Sequence, residues 1–194
     1  MDVTVGGLVA LLKLTFQNPR KAAAMIVQSG LPDNARWAAL VLMAVASAIV
    51  MYAVSAMAPT IGPDGEVIAM PGPFFWAGMV GFGMGVTALL VYGVGRWRGG
   101  SGSLPDAVLL VAWLQVVQLA LVFMQMVLLV VMPPLASLLE VASVVIFLWL
   151  LTNFVAELHG FRSVGMVLAG VIATFVVMVL VMTVVLLPFF PAGI

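Results

Sequence analysis

The stretch Arg96-Trp97-Arg98-Gly99-Gly100-Ser101-Gly102-Ser103-Leu104-Pro105-Asp106 decides the fold, because it is a basic, glycine-rich break between two long hydrophobic runs. Its glycines favour a tight reversal between two membrane helices. Arg96 and Arg98 would hold that turn on the cytoplasmic side of a membrane. Ser103 and Asp106 have the spacing of a capping box, which predicts that a helix begins there.

The composition is that of an integral membrane protein. Of the 194 residues, 65% are hydrophobic and 7% are charged, and the mean hydropathy is +1.31. A soluble domain could not expose so many hydrophobic residues at its surface. The net charge is zero and no extended basic face is present, so nucleic acid is not expected as a partner. The chain has no cysteine and one histidine, which removes thiolate metal sites and cysteine nucleophiles.

Five hydrophobic runs reach the roughly 20 residues that a transmembrane helix needs. They predict an all-α membrane protein with spans at residues 37–57, 74–95, 107–132, 135–156 and 164–187. All seven basic residues fall in the segments on one side of these spans, and the positive-inside rule makes that side cytoplasmic. The N-terminus is therefore expected inside and the C-terminus outside.

Residues 1–36 are expected to form two short helices at the cytoplasmic membrane surface ahead of the bundle in residues 37–194. Apolar residues recur at helical spacing over residues 4–16, which is too short to span the membrane. Asn18-Pro19 predicts the start of a second helix, which Gly30 would close. This basic segment could bind anionic lipid or a partner, or it could only fix the topology.

The opposite side receives the segment from Pro59 to Pro73, where Pro63-Asp64-Gly65 predicts a turn that could close a small hairpin. Tryptophans at span ends are expected to anchor the helices at the headgroup level; they are Trp37, Trp76 and Trp97.

Small residues recur at close helical spacing in three spans, where they would let helix backbones approach closely. They are Ala44 and Ala48 in the first span, Ala77, Gly81, Gly85 and Ala88 in the second, and Gly165, Ala169 and Ala173 in the fifth. We expect packing within the bundle, with homodimerisation through one of these faces as the alternative.

A candidate intramembrane polar cluster consists of Gln115, Gln118, Gln125 and Glu140. The three glutamines share one face of the third span and should face protein, either as hydrogen-bonding groups between helices or as the lining of a substrate path. Glu140 could couple to protons or ions. Alternatively, Ser137-x-x-Glu140 after Pro133-Pro134 could be a capping box, which is the interpretation we favour.

A second candidate cluster, on the cytoplasmic face, consists of Arg96, Arg98, Asn153, Glu157, His159 and Arg162. One histidine without a second ligand does not predict a metal site. Nothing in the spacing requires His159 to meet Ser101 or Ser103 as a base and nucleophile. The glycines near residue 100 lack the lysine and spacing of a phosphate-binding loop and are assigned to the turn. No catalytic residue and no cofactor is predicted.

The segment from Gly99 to Ala107 and the turn Glu157-Leu158-His159-Gly160-Phe161 occur in a five-span chain with an Asn18-Pro19 helix before the first span. In these features the chain resembles a bacterial member of the Yip1 family over nearly its whole length. The resemblance implies a compact five-helix bundle in the bacterial inner membrane. From eukaryotic relatives it also implies association with small GTPases and with proteins that shape membranes. Residues 1–36 contain no counterpart of the GTPase-linked motif of those relatives.

Together these features favour a non-enzymatic inner-membrane protein that organises lipids or protein partners. Membrane lipids are the expected partners, with a protein partner or a second copy as further possibilities. The alternative is a small transporter or channel that uses the polar groups between the third and fourth spans.

Overall fold

A computed structural model describes residues 4–57, 62–66 and 71–186. These residues form seven α-helices and contain no β-strand. The helices are α1 (Val5–Gln17), α2 (Pro19–Val27), α3 (Asp33–Met57), α4 (Pro73–Trp97), α5 (Leu104–Val131), α6 (Pro133–His159) and α7 (Val164–Leu186). The last five are long and apolar enough to cross a membrane, which confirms the five predicted spans.

Helix α5 is the centre of the bundle. It contacts α3, α4, α6 and α2, and all residues from Ala107 to Leu114 are buried. A helical segment that is apolar on every side can be buried on every side, and residues 107–114 of α5 have that composition. Residues 150–156 of α6 are likewise buried, so the tightest packing lies where α5 begins and α6 ends.

The small residues of α3 and α4 bring these two helices together, as predicted. A Cβ added to Gly81 would lie 3.4 Å from the Cβ of Ala44, and Ala48 and Ala88 are buried. The prediction of packing within the bundle is wrong for α7, where Gly165, Ala169 and Ala173 are exposed. That helix contacts α6, and its small residues face away from the bundle.

Both N-terminal helices begin at side-chain caps, of which the one at Asn18 was predicted. Thr4 Oγ1 accepts a hydrogen bond from Gly7 N at 3.2 Å, and Asn18 Oδ1 accepts one from Lys21 N at 3.1 Å. α2 ends at Val27, before Gly30, which lies in the following loop with a φ of +71°. α2 contacts α5 and α6, so it is docked on the bundle.

Two helices end at one face of the bundle through the same backbone motif. Gly99 and Gly160 have φ values of +86° and +72°, in the left-handed region that glycine tolerates best. The next residue in each case bonds back to the carbonyl five positions earlier, at 2.9 Å from Gly100 N to Gly95 O and 2.8 Å from Phe161 N to Ala156 O. These are Schellman motifs, and they end α4 and α6 side by side.

At the opposite face, Gly65 N donates to Gly62 O at 3.0 Å, which confirms the turn at Pro63-Asp64-Gly65. Most residues of the possible hairpin around it, 58–61 and 67–70, lie outside the described part of the chain.

Candidate functional site at the basic end of the bundle

All seven basic residues lie at one end of the bundle, which we call the basic end. Lys13, Arg20 and Lys21 are in α1 and α2, Arg36 is in the first turn of α3, Arg96 and Arg98 are at the end of α4, and Arg162 precedes α7. The starts of α4 and α6 and the ends of α3, α5 and α7 form the opposite end.

The imidazole of His159 is held between three segments at this end. Gly102 N donates to its Nδ1 at 3.2 Å, and its Nε2 lies 3.0 Å from the carbonyl oxygen of Val91 in α4. Because Nδ1 accepts a hydrogen bond, Nε2 must carry the ring proton, and its N–H donates a hydrogen bond to the Val91 carbonyl oxygen. The ring also stacks on Phe161 at a centroid distance of 5.6 Å. Both ring nitrogens are therefore already bonded to backbone groups.

Three glycines make the space for this ring. A Cβ added to Gly95 or Gly100 would overlap the His159 imidazole, and one added to Gly102 would lie 2.6 Å from Leu158 Cγ. Of the glycines in the quoted stretch, Gly99 alone has the left-handed backbone. Gly100 and Gly102 lie in the predicted turn between α4 and α5, and in addition a side chain at either position would collide with the end of α6.

Glu157 joins the N-terminal helices to the bundle. Arg20 Nε donates to Glu157 Oε2 at 2.9 Å, and the same guanidinium reaches the Phe161 carbonyl oxygen at 3.4 Å. A second, buried link lies nearby, where Trp113 Nε1 donates to Thr15 Oγ1 at 2.9 Å. These two bonds fix α1 and α2 against α5 and α6.

The predicted helix start at Ser103 is confirmed, although the Asp106 carboxylate bonds the Ser103 hydroxyl and not its backbone N–H, as it would in a full capping box. Ser103 Oγ accepts from Asp106 N at 3.3 Å and donates to the Asp106 carboxylate. That carboxylate also forms an ion pair with Arg36 at the start of α3. The Ser103 hydroxyl is thus engaged in the helix cap, while both ring nitrogens of His159 are hydrogen-bonded to backbone groups.

The residues of the predicted cytoplasmic cluster do not form one site, because each has its own contacts or is exposed. Asn153 is buried and donates to Trp149 O within its own helix at 2.8 Å, while Arg96, Arg98 and Arg162 are exposed. Within the described residues, no group of three potential metal ligands comes together. Sequence reasoning missed Arg20, Thr15 and Trp113, whose partners are about 100 residues or more distant in sequence.

The intramembrane polar residues line two small clefts along α5. The first, of about 150 Å³ between α3, α4 and α5, is lined by Gln115 and Gln118. Gln115 Nε2 donates to Ser47 Oγ at 2.9 Å, which supports the role of an interhelical hydrogen bond.

Trp76 also lines the cleft between α3, α4 and α5. Its indole nitrogen is buried and has no hydrogen-bond partner among the described residues, so Trp76 does not reach the headgroups. Trp97, which is 80% exposed, can do so.

The second cleft, of about 140 Å³, lies between α3, α5 and α6 and contains Gln125, Ser137 and Glu140. The position of Ser137 in α6 contradicts the interpretation that we favoured, in which Ser137 caps this helix. α6 begins at Pro133 after Met132, so Ser137 lies inside the helix and caps nothing. The proline pair itself starts the helix, because proline fits the first helical positions without losing a needed N–H.

The chain matches the family model of the Yip1 domain over residues 13–186. It belongs to the Yip1 family. No curated protein and no solved structure matches it. The Yip1 match runs from α1 to the end of α7 and therefore includes the His159 setting and both clefts. With five helices able to cross a membrane, this Yip1 protein is a multi-pass membrane protein whose apolar helices contact lipid.

Proposed function

We propose that this Yip1-family protein is a non-catalytic organiser of membrane lipids, which binds anionic headgroups through its basic end. The observation that carries the proposal is the division of the basic residues into two groups. Arg20 and Arg36 are neutralised by Glu157 and Asp106. The other five form no ion pair with described residues and are exposed: Lys13, Lys21, Arg96, Arg98 and Arg162.

The exposed cations would act together on a charged surface. The described residues at the basic end hold one exposed acid, Asp33, so positive charge dominates there. A lysine or arginine near an anionic leaflet contributes roughly 1 kcal/mol to binding. Arg96, Arg98 and Arg162 lie next to the turns at Gly99 and Gly160, whose backbone conformation is fixed. Lys13 and Lys21 lie on α1 and α2, which are docked on the bundle. Little conformational freedom would be lost on binding, which favours affinity.

The proposal sets the orientation as well. Positive residues mark the cytoplasmic side, which places the N-terminus inside, the C-terminus outside and α1 with α2 at the inner surface of a bacterial cytoplasmic membrane. A transport path receives less support, because residues 107–114 and 150–156 are buried and close the bundle between both clefts and the basic end.

Lipid titration of the purified chain tests the proposal. Phosphatidylglycerol should raise the unfolding temperature in detergent more than phosphatidylcholine does, and added salt should reduce the difference. Combining Lys13→Gln, Lys21→Gln and Arg98→Gln should weaken phosphatidylglycerol binding by about tenfold to a hundredfold.

The matched control removes one cation and one anion together, as Arg36→Gln with Asp106→Asn, a pair that joins two helices without any of the five exposed cations. It should keep the preference for the anionic lipid, because the five exposed cations remain. Equal binding of the two lipids by the unaltered protein, or an unchanged preference in the triple variant, would overturn the proposal.

A further inference from the structure

Glu140 is an exposed carboxylate that lies far from every lysine, every arginine and the histidine. It lies in α6 near the opposite end, while every lysine and arginine and the one histidine lie at the basic end. An ionised carboxylate at membrane depth is costly unless it is paired. A cation that pairs with Glu140 would therefore come from outside the described part of the chain.

The depth of Glu140 indicates where that counter-ion would sit. α6 has 27 residues, so at ~1.5 Å per residue it is about 40 Å long and exceeds a ~30 Å hydrocarbon layer by about 5 Å at each end. Glu140 lies seven residues from the helix start, about 10 Å along it and thus about 5 Å inside the hydrocarbon. Side chains on a helix lean toward its N-terminus, which carries this carboxylate back to the headgroup boundary.

The chemistry of the cleft narrows the choice of ligand. Gln125 and Ser137 line it together with Glu140, so three side chains offer acceptor oxygens. A primary ammonium group has three N–H donors and one positive charge, which matches that set. The cleft is also lined by Leu129 of α5, which is 56% exposed and would face acyl chains. A ligand with both an ammonium group and acyl chains satisfies both parts of this surface.

We propose that the cleft between α3, α5 and α6 binds the primary ammonium group of a lipid headgroup, with Glu140 as its counter-ion. A quaternary ammonium has the same charge but no N–H to donate, so the cleft discriminates between the two headgroup classes. This site is separate from the anionic-lipid surface at the basic end, and each can fail without the other.

Native mass spectrometry of the full chain tests this with equal amounts of phosphatidylethanolamine and phosphatidylcholine of the same acyl chains. The unaltered protein should retain the ethanolamine lipid about tenfold more than the choline lipid. Glu140→Gln, which keeps the shape and removes the charge, should abolish that preference. Asp64→Asn removes a carboxylate at the same end of the bundle outside the cleft and should leave the preference intact.

Equal retention of the two lipids by the unaltered protein, or a preference that survives Glu140→Gln, would overturn the proposal. If Glu140→Gln does not fold, Gln125→Leu serves instead and should reduce the preference several-fold. In a last experiment, free ethanolamine is added as a competitor of the bound lipid. If it displaces the lipid at equal concentration, the site takes soluble amines and the assignment to a lipid headgroup is wrong.

Discussion

Gly102 N donates a 3.2 Å hydrogen bond to Nδ1 of His159, 57 residues further along the chain. This bond joins the loop before α5 to the last residue of α6. The same imidazole contacts the Val91 carbonyl of α4, so one side chain ties three helices together at the basic end. The ring is buried and both of its nitrogens are engaged, which makes His159 a structural centre for this end of the bundle.

Glycine substitutions in α4 test that role. Gly95→Ala should destabilise the protein by about 1–3 kcal/mol, because its Cβ would overlap the imidazole and force a shift. Gly93→Ala is the matched control on the same helix, where nothing lies within 4 Å of an added Cβ. It should be neutral or stabilising by up to ~1 kcal/mol through helix propensity. Unfolding in a graded detergent mixture measures both, and equal effects would contradict the packing role.

Much of the fold could be predicted because membrane helices depend on simple physical limits. Length and hydrophobicity identify α3 to α7, and local caps such as Asn18 and Ser103 act within three residues of themselves. The start of α6 was harder to place. Pro133 and Ser137 both give plausible starting signals, and α6 begins at the proline, where the helix gains another turn.

The candidate site was less predictable because its contacts join distant segments. Charge and polarity grouped Glu157 and His159 correctly at one end, yet their partners Arg20 and Gly102 depend on how the helices pack. The glycines of α4 did not single out Gly95 either. Gly93 lies in the same helix with nothing within 4 Å of an added Cβ, so a glycine inside this helix does not by itself predict a close neighbour.

The docking of α1 depends on a buried hydroxyl. Thr15→Val should leave the Trp113 indole N–H without its acceptor and cost about 1–3 kcal/mol. Hydrogen exchange should then rise in α1 and α2 before it rises in the long helices. Thr87→Val is the control, since Thr87 bonds only its own helix, to Gly83 O at 2.8 Å. Unchanged exchange in α1 after Thr15→Val would show that the bond does not hold the helix.

The glutamines of α5 should contribute unequally to stability. Gln115→Leu loses the bond to Ser47 and should cost roughly 0.6–2 kcal/mol in a membrane environment. Gln118→Leu, one helical turn further on, removes a side chain with no hydrogen bond to the described residues and should be close to neutral. A cycle with Ser47→Ala isolates the pair, and a coupling energy near zero would contradict the interhelical bond.

Two serines with the same sequence spacing to an acid should differ in effect. Ser103→Ala removes a true N-cap and should cost about 1 kcal/mol. Ser137→Ala, inside α6, should change stability by less than about 0.5 kcal/mol. Thermal unfolding of the two variants under one condition makes the comparison. A larger loss for Ser137→Ala would mean that α6 starts later than the structure places it.

The orientation of the bundle should follow its lysines and arginines, because acidic residues contribute little to the positive-inside rule. A reporter that is active only outside the cytoplasmic membrane should be active when fused after Ile194 and inactive when inserted within residues 99–102. Replacing Arg96, Arg98 and Arg162 with glutamine should leave a measurable fraction of molecules inverted. Replacing Asp33 and Asp106 with asparagine should not, since acids contribute little to orientation. A cytoplasmic C-terminus in the unaltered protein, or inversion caused by the two acid replacements alone, would contradict the charge-based orientation.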